Sequence, residues 1–440
     1  MIYNQLEAIC NRQLSMESDV KPAARAGRNA LLLLLAINLF NYIDRQVLAA
    51  VEPDIRATFF APNDPNAMAI SGLLGDAFLI TYMISAPILG WLADRFSRWV
   101  IVGSAVIIWS LASGASGLAQ TFTILFITRI FVGIGEGGYG PAAPTILSDL
   151  FPIAKRGSVM AAFCAAIPVG SALGYVLGGL IGTHFGWRWA FYAVVLPGLL
   201  LGLICFTQHD PPRTGRPAFL ELKRRRLHDY LMLFRSRSYV TNTIAQTITT
   251  FVLGGLGFWI PAYLRFRDQS PARGMTIFGG IVVVAGLVST LLGGVLADKL
   301  RPRFPGSDFL VSGVGMIIAC PLFITSLYLP FPAAWFVMFV AIFFMFLNTG
   351  PSNTAIANVS LPHIRASAFA LNIFIIHALG DVPAFPIIGY IGGHSDIRIA
   401  FVFVSLLILI AGAVWIFSVK YLPADMAAVE AAGAEEQISV

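Results

Sequence analysis

Charge is scarce in this chain: Asp, Glu, Lys and Arg make up 12% of its 440 residues, against 57% hydrophobic ones. So few ionisable groups cannot coat a water-soluble domain of this length, and the mean hydropathy of +0.77 agrees. Cysteine is also rare. Cys10, Cys164, Cys205 and Cys320 show no CxxC spacing, which leaves neither a disulfide framework nor a metal site. No G-x-x-x-x-G-K-[ST] loop is present, which speaks against ATP-driven work. Neither HExxH nor GxSxG occurs, which speaks against an enzyme acting on lipid, and no cofactor is called for. No cleavable leader is expected either: mostly polar residues precede a first apolar run that is already long enough to span a bilayer.

What remains is a series of long apolar runs separated by short charged islands. A helix needs about 20 such residues to cross a bilayer. On that length the sequence predicts helices near 30–56, 67–93, 98–119, 121–150, 157–182 and 188–207. A second set follows near 240–266, 273–299, 308–328, 332–358, 364–392 and 397–421. The fold class expected is an all-α membrane protein of twelve spans in two six-helix bundles. Its organisation reads as a tail at 1–29, a bundle at 30–207, a connector at 208–239, a second bundle at 240–421 and a tail at 422–440.

Lys and Arg collect on one side of this arrangement: in the N-terminal tail, beside Arg95 and Arg98, at Lys155 and Arg156, through the connector and at Lys299. Only Arg56, Arg188, Arg265, Arg267, Arg273 and Arg398 fall on the other. The positive-inside rule therefore places both termini in the cytoplasm of a cell whose inner (plasma) membrane the chain spans. The net charge of +6 follows from this asymmetry, so it carries no sign of a nucleic-acid partner. Within the connector, Lys223 to Arg226 read as an anchor on anionic headgroups, and Pro211, Pro212, Gly215 and Pro217 as linker composition.

A short phrase repeats. GWLADR at Gly90 to Arg95 returns as GVLADK at Gly294 to Lys299, close to half the chain length later, each time closing an apolar run. Such spacing marks two related halves. Gly90 and Gly294 let helix ends approach, and Asp94 and Asp298 can face the positive end of a neighbouring helix. With Arg95, Arg98, Arg156 and an acid such as Asp149, the phrase reads as a cytoplasmic latch between the halves; topogenic anchoring alone is the other reading for its basic residues.

A charge at the bilayer centre costs roughly 2.5–3.5 kcal/mol on insertion scales, so each one retained needs a compensating role. The predicted spans hold Asp44 and Arg45 in the first, Asp76 in the second, Arg129 and Glu136 in the fourth, and His377 and Asp381 in the eleventh. Arg129 and Glu136 are seven apart and share a face, about 10.5 Å apart along the axis at 1.5 Å per residue. Asp44 could sit between them. An acid beside an arginine keeps its charge, whereas a desolvated acid without a partner favours its neutral form. This trio therefore reads either as a proton carrier, with Arg129 tuning the two acids, or as a static buried salt bridge. His377 and Asp381, at i and i+4, read as a second protonation site or a phosphate contact, or else as a packing pair. Asp76 is grouped with them as a second protonation or substrate site, and it lines an exit path or lies near the outer water boundary.

Small residues crowd the same region. Gly133 and Gly137 flank Glu136; Gly170, Gly174 and Gly178 recur every fourth residue after Pro168, a stripe that lets backbones approach for packing, gating or both. The 34 Phe residues offer an apolar cavity wall for an amphiphile.

These residues resemble a known family. Twelve spans, the duplicated G-x-L-A-D-[RK] turn and R-x-x-x-G-x-G at Arg129 to Gly135 are similar to the major facilitator superfamily. Within it, NYIDR at Asn41 to Arg45, GIGEGGYGPAAPTILSDLF at Gly133 to Phe151, AIPVGSALGY at Ala166 to Tyr175, FWIPAYL at Phe258 to Leu264 and HALGD at His377 to Asp381 resemble the spinster family. The resemblance implies a secondary transporter that moves single-chain lipids such as lysophospholipids or sphingosine-1-phosphate, coupled to protons in some members. It matches Asp44, Arg129 and Glu136 to the family's membrane-embedded charged positions and His377 with Asp381 to its eleventh-helix pair. Where the family usually has Ala-Ser after the motif glutamate, this chain has Gly137-Gly138. The expected partners are a lysolipid-like amphiphile, protons and membrane lipids, with the chain a monomer. An exporter or importer of hydrophobic drugs or organic anions on the same fold is the competing expectation.

Overall fold

The structure, a computed structural model, describes residues 2–211, 233–361 and 364–438. Of the connector, Lys223 to Arg226, Pro212, Gly215 and Pro217 lie outside the described residues, and Cys10 lies where no side chain is described. Helices dominate, and no strand occurs among the described residues. The first half comprises α1 (Ile2–Phe59), α2 (Ala67–Ala93), α3 (Arg98–Gly117), α4 (Phe122–Leu150), α5 (Ile153–Phe185) and α6 (Trp187–Cys205). The second comprises α7 (Arg237–Phe266), α8 (Pro271–Leu300), α9 (Ser307–Tyr328), α10 (Ala333–Phe346 and Thr349–Asn358), α11 (Arg365–Ile376, a π turn at His377–Asp381, then Val382–His394) and α12 (Ile397–Ser418). A further helix, α13 (Leu422–Ile438), follows. Twelve of these are long and apolar enough to cross a membrane, and in α1 that stretch is Gly27–Phe59.

Helices are the form such runs must take, because in lipid every backbone N–H and C=O has to be satisfied within the segment. Apolar side chains such as Leu32, Ile84, Leu291 and Phe417 are exposed on the outer faces, where acyl chains would cover them. The helix ends are set locally. Thr121, Ser236 and Asp396 cap α4, α7 and α12 through side-chain oxygens that accept from backbone N–H groups. Gly186 makes the turn from α5 to α6 with φ at 89°, a conformation that glycine adopts without steric cost.

Each half packs as one bundle. In the first, α1 lies on α5, α2 on α4, and α3 on α4 and α6; in the second, α12 receives α7 and α9, and α10 lies against α8 and α9. The small-residue stripe of α5 serves the first bundle internally: an added Cβ on Gly170 or Gly174 would come within 2.6 Å of the α1 carbonyls of Leu39 and Ile43, and one on Gly178 within 2.6 Å of Ala50. Gly133 and Gly137 of α4 are likewise tight against Thr81 and Ser85 of α2. These glycines therefore fix packing within a bundle, not a seam between bundles, and Pro168 lies inside the same continuous α5.

The bundles meet through α2 with α11, α5 with α8, and α1 with α7. The contacts gather toward the end opposite the N-terminus. There Gly72 packs on the backbone of Phe385, Gly389 on Met68, and Gly279 on Ala172. Arg265 also reaches Asp54 across the seam at 2.8 Å.

The latch expected between the halves has a different geometry. Arg98, which is buried, pairs with Asp149 of α4 and, at 2.8 Å, with Asp210, and donates to the carbonyl of Pro211 at 2.9 Å. Asp149 belongs to the first bundle, and Asp210 and Pro211 to the start of the connector that follows α6. The counterpart Arg301 bridges Asp298 at 3.2 Å and Asp308 at 3.1 Å within the second. In this conformation, then, Arg98 ties its bundle to the start of the connector and Arg301 ties adjoining helix ends of the second bundle together. Gly90 abuts Pro141 of α4, whereas an added Cβ on Gly294 would meet nothing within 4 Å and it is Gly350 of α10 whose added Cβ would come within 3.3 Å of the Gly294 backbone; Arg156 donates to the Phe151 carbonyl at 3.1 Å.

Candidate functional site

A cavity of about 360 Å³ lies between the bundles, within the roughly 300–1,000 Å³ common for small-molecule sites. Both halves line it. Phe78, Phe278, Phe323, Phe346 and Phe385 give it an apolar wall, and its polar groups include Tyr42, Asp44, Arg45, Arg129, Glu136, His377 and Asp381. The charged residues singled out in the sequence thus converge on one space, with the exception of Asp76.

The pairing inside the cavity departs from expectation. Arg45, not Arg129, is the partner of Glu136: its Nε donates to Oε2 at 2.7 Å. The guanidinium also lies about 5 Å from the ring centroids of Tyr42, Phe78 and Tyr82, so three π faces and one carboxylate surround it. Glu136 is fully buried, and its Oε1 has no hydrogen-bond partner among the described residues. Asp44, the neighbour of Arg45 in sequence, points elsewhere. Its Oδ1 accepts from the Ser113 hydroxyl of α3, while its Oδ2 has no partner among the described residues. Successive helical side chains point about 100° apart, so α1 presents its acid to α3 and its base to α4. Asp44 therefore makes no direct ion pair with Arg129, although it lies within electrostatic reach of both Arg129 and Glu136. Arg129 instead donates to Ser116 at 3.0 Å, stacks on Phe191 at 5.2 Å, and forms no ion pair among the described residues.

On the opposite wall His377 and Asp381 are joined, Nδ1 to Oδ2, at 2.6 Å. They are the first and last residues of the π turn. Single π turns widen a helix by one residue and recur at functional sites. The turn carries Asp381 against α7, where Gly254 has no side chain to obstruct it: an added Cβ would stand 1.9 Å from Asp381 Oδ1. Asp76 is buried in the α2–α11 seam beside the cavity, with Oδ1 unpartnered among the described residues. Gly75 lines the cavity; Asp76 does not.

Sequence reasoning missed Arg45 as the ion partner, the rings of Tyr42, Phe78 and Tyr82 around it, Asp210 as a partner of Arg98, and the Asp54–Arg265 pair. Tyr42, three residues before Arg45, was the one local signal, since i and i+3 side chains meet on a helix.

Two bundles sealed together at one end around a cavity of buried charge and aromatic rings define a polytopic membrane transporter. The family model described as Major Facilitator Superfamily matches residues 34–385. Protein spinster homolog 3 of Danio rerio is 34% identical over 384 residues, 82% of this chain and 76% of the relative. The sphingosine-1-phosphate transporter SPNS2 of Mus musculus is 34% identical over 377 residues, 80% and 68% of the two chains. A solved bacterial homolog to the human lysosomal transporter Spinster, inward-facing and unoccupied, shares the fold with a TM-score of 0.81 at 22% identity, covering 91% of this chain and 98% of that one. The chain belongs to the Major Facilitator Superfamily and, within it, to the spinster family: a multi-pass membrane transporter and not an enzyme.

Proposed function

We propose that the protein is a proton-coupled secondary transporter of an anionic single-chain amphiphile, a lysophospholipid or a sphingosine-1-phosphate-like lipid. It works by rocking two units, residues 30–207 and 240–421, about the cavity, with 208–239 as the connector. The observation that carries the reading is the Arg45–Glu136 pair on a phenylalanine-rich wall. Arg45 is a fifth exposed toward the cavity whereas Glu136 is closed off. An entering phosphate would compete for the guanidinium, and Glu136, losing its counter-ion in a buried setting, would take up a proton. Anion and proton then bind together, and neither leaves an unpaired buried charge behind. Asp44, with one free carboxylate oxygen, is the second proton carrier, and Arg129 holds the α3–α4 contact beside it. The aromatic rings receive the chain of the lipid.

The name of the relative SPNS2, a sphingosine-1-phosphate transporter, supports a lipid substrate, and the distribution of Lys and Arg supports both termini in the cytoplasm of a cell whose inner (plasma) membrane the protein spans. With that orientation the sealed end faces outward. A panel of lysophospholipids, sphingoid phosphates, drugs and sugars tests the substrate class by thermal shift of the purified protein. Stabilisation by phosphate-bearing single-chain lipids, lost in Arg45→Ala, is expected. Stabilisation by drugs alone, or lipid stabilisation that survives Arg45→Ala, contradicts the reading.

A further inference from the structure

Asp76 has no part in the coupling scheme above, yet it is a buried carboxylate inside a membrane span, and its place in the seam is informative. The helices α2 and α11 are antiparallel, and they touch where Gly72 meets the backbone of Phe385: an added Cβ would lie 2.9 Å from the Phe385 carbonyl. One residue before Asp76, Gly75 is equally close to the Phe385 ring, at 2.7 Å. Asp76 stands four residues after Gly72, and Asp381 four residues before Phe385. In an antiparallel pair those two steps run the same way, so both carboxylates lie one helical turn from the contact at the same depth. They are within electrostatic reach of each other. One belongs to each bundle.

Two carboxylates brought together away from water do not both remain ionised; one proton between them removes the repulsion. The charged and titratable groups around the pair favour the charge on Asp381 alone, through His377 and Arg45, and none of them relieves Asp76, to which the shared proton falls. From α11, His377 is committed to Asp381 Oδ2. From α1, Arg45 is held by Glu136 of α4 and by its ring of aromatics, which includes Tyr42 of α1 and Phe78 and Tyr82 of α2. From α7 the facing residue is Gly254. Asp76 Oδ1 is left without a hydrogen-bond partner among the described residues.

We propose that Asp76 and Asp381 form a proton site that exists only while α2 and α11 are together, so that one proton bound there holds the end opposite the N-terminus shut. The site involves residues other than those assigned to coupling, and rests on that reading only for the rocking of the bundles. Its proton arrives by way of the cavity, which Asp381 lines. Once the helices part, Asp76 is solvated, its repulsion from Asp381 vanishes and the proton is released. The closed state binds more protons than the open one, so acid favours closure and alkali favours opening.

The test is a distance measurement on the full-length protein in lipid nanodiscs. Spin labels are placed at Asn66→Cys and Ser395→Cys, at the sealed ends of α2 and α11, in a background lacking the native cysteines. Raising the pH across neutrality is expected to increase the ratio of separated to closed populations, by up to about tenfold for each pH unit per linked proton. Asp76→Asn, and separately Asp381→Asn, should stay predominantly closed and lose that slope, while Glu136→Gln should retain it. A wild-type slope that survives in Asp76→Asn and Asp381→Asn, or a wild-type distance indifferent to pH, overturns the proposal. Substrate flux in Glu136→Gln reads the coupling scheme separately, so either idea can fail without the other.

Discussion

The guanidinium of Arg45 touches one carboxylate and three aromatic rings, and a lysine ammonium cannot reproduce that planar fit. Removing the carboxylate is the sharper change. Glu136→Gln leaves Arg45 without a counter-ion, which in buried pairs costs roughly 3–5 kcal/mol; with the arginine a fifth exposed, about 2–3 kcal/mol is expected here. A lowered melting temperature in detergent, restored toward wild type by the further change Arg45→Met, checks the assignment. An unchanged melting temperature on Glu136→Gln would show that the pair contributes little. The charged residues themselves were legible in the sequence, because ionisable groups within apolar runs stand out. Their partners were not. Asp44 and Arg45 are adjacent, and which of them turns toward α4 depends on how α1 is rotated in its bundle, a matter decided by Gly170 and Gly174 packing on Leu39 and Ile43. Helical periodicity within one span carries no record of that rotation.

At the scale of elements, α11 is the one whose form matters most to the site. Its apolar run, predicted near 364–392, is found in the structure with a π turn in the middle, and the turn sets Asp381 against Gly254. Gly254→Ala would place a methyl group at 1.9 Å from the carboxylate, closer than any real contact, so Asp381 has to swing away from His377. We expect this change to leave expression and folding close to wild type and to reduce transport at least tenfold, an effect that flux in proteoliposomes measures. Gly280→Ala is the control, since its added carbon meets nothing within 4 Å. Span positions were legible to within a few residues because hydropathy alone fixes them; for example, the second and seventh begin and end within three residues of the predicted bounds. The π turn left no such signal, because one extra residue does not disturb an apolar pattern. The C-terminal segment also exceeded its reading as a tail: α13 brings Asp425 to the start of α7, where it accepts from Ser236 Oγ at 2.9 Å and from the backbone N–H of Ser238 at 2.7 Å. That bond joins residues far apart in sequence, and only the folded bundle reveals it.

For the whole molecule, the repeated GWLADR and GVLADK phrases announced two halves, and two bundles are found. The arginines that follow them, Arg98 and Arg301, bind within their own halves and the start of the connector, and the contacts seen between the halves are α2 on α11, α5 on α8, and the Asp54–Arg265 pair. The first bundle contributes Arg45, Glu136 and Asp44 to the cavity, the second His377 and Asp381, and a substrate lying between them would touch both. Proton coupling of lipid movement is the central claim, and flux under an imposed pH gradient tests it most directly. Purified protein in liposomes should move a fluorescent lysophospholipid or sphingosine phosphate faster when a proton gradient is imposed than without one, and Glu136→Gln should transport at one rate in both conditions. Wild-type flux that ignores the gradient, or a Glu136→Gln variant that responds to it as the wild type does, would contradict the account.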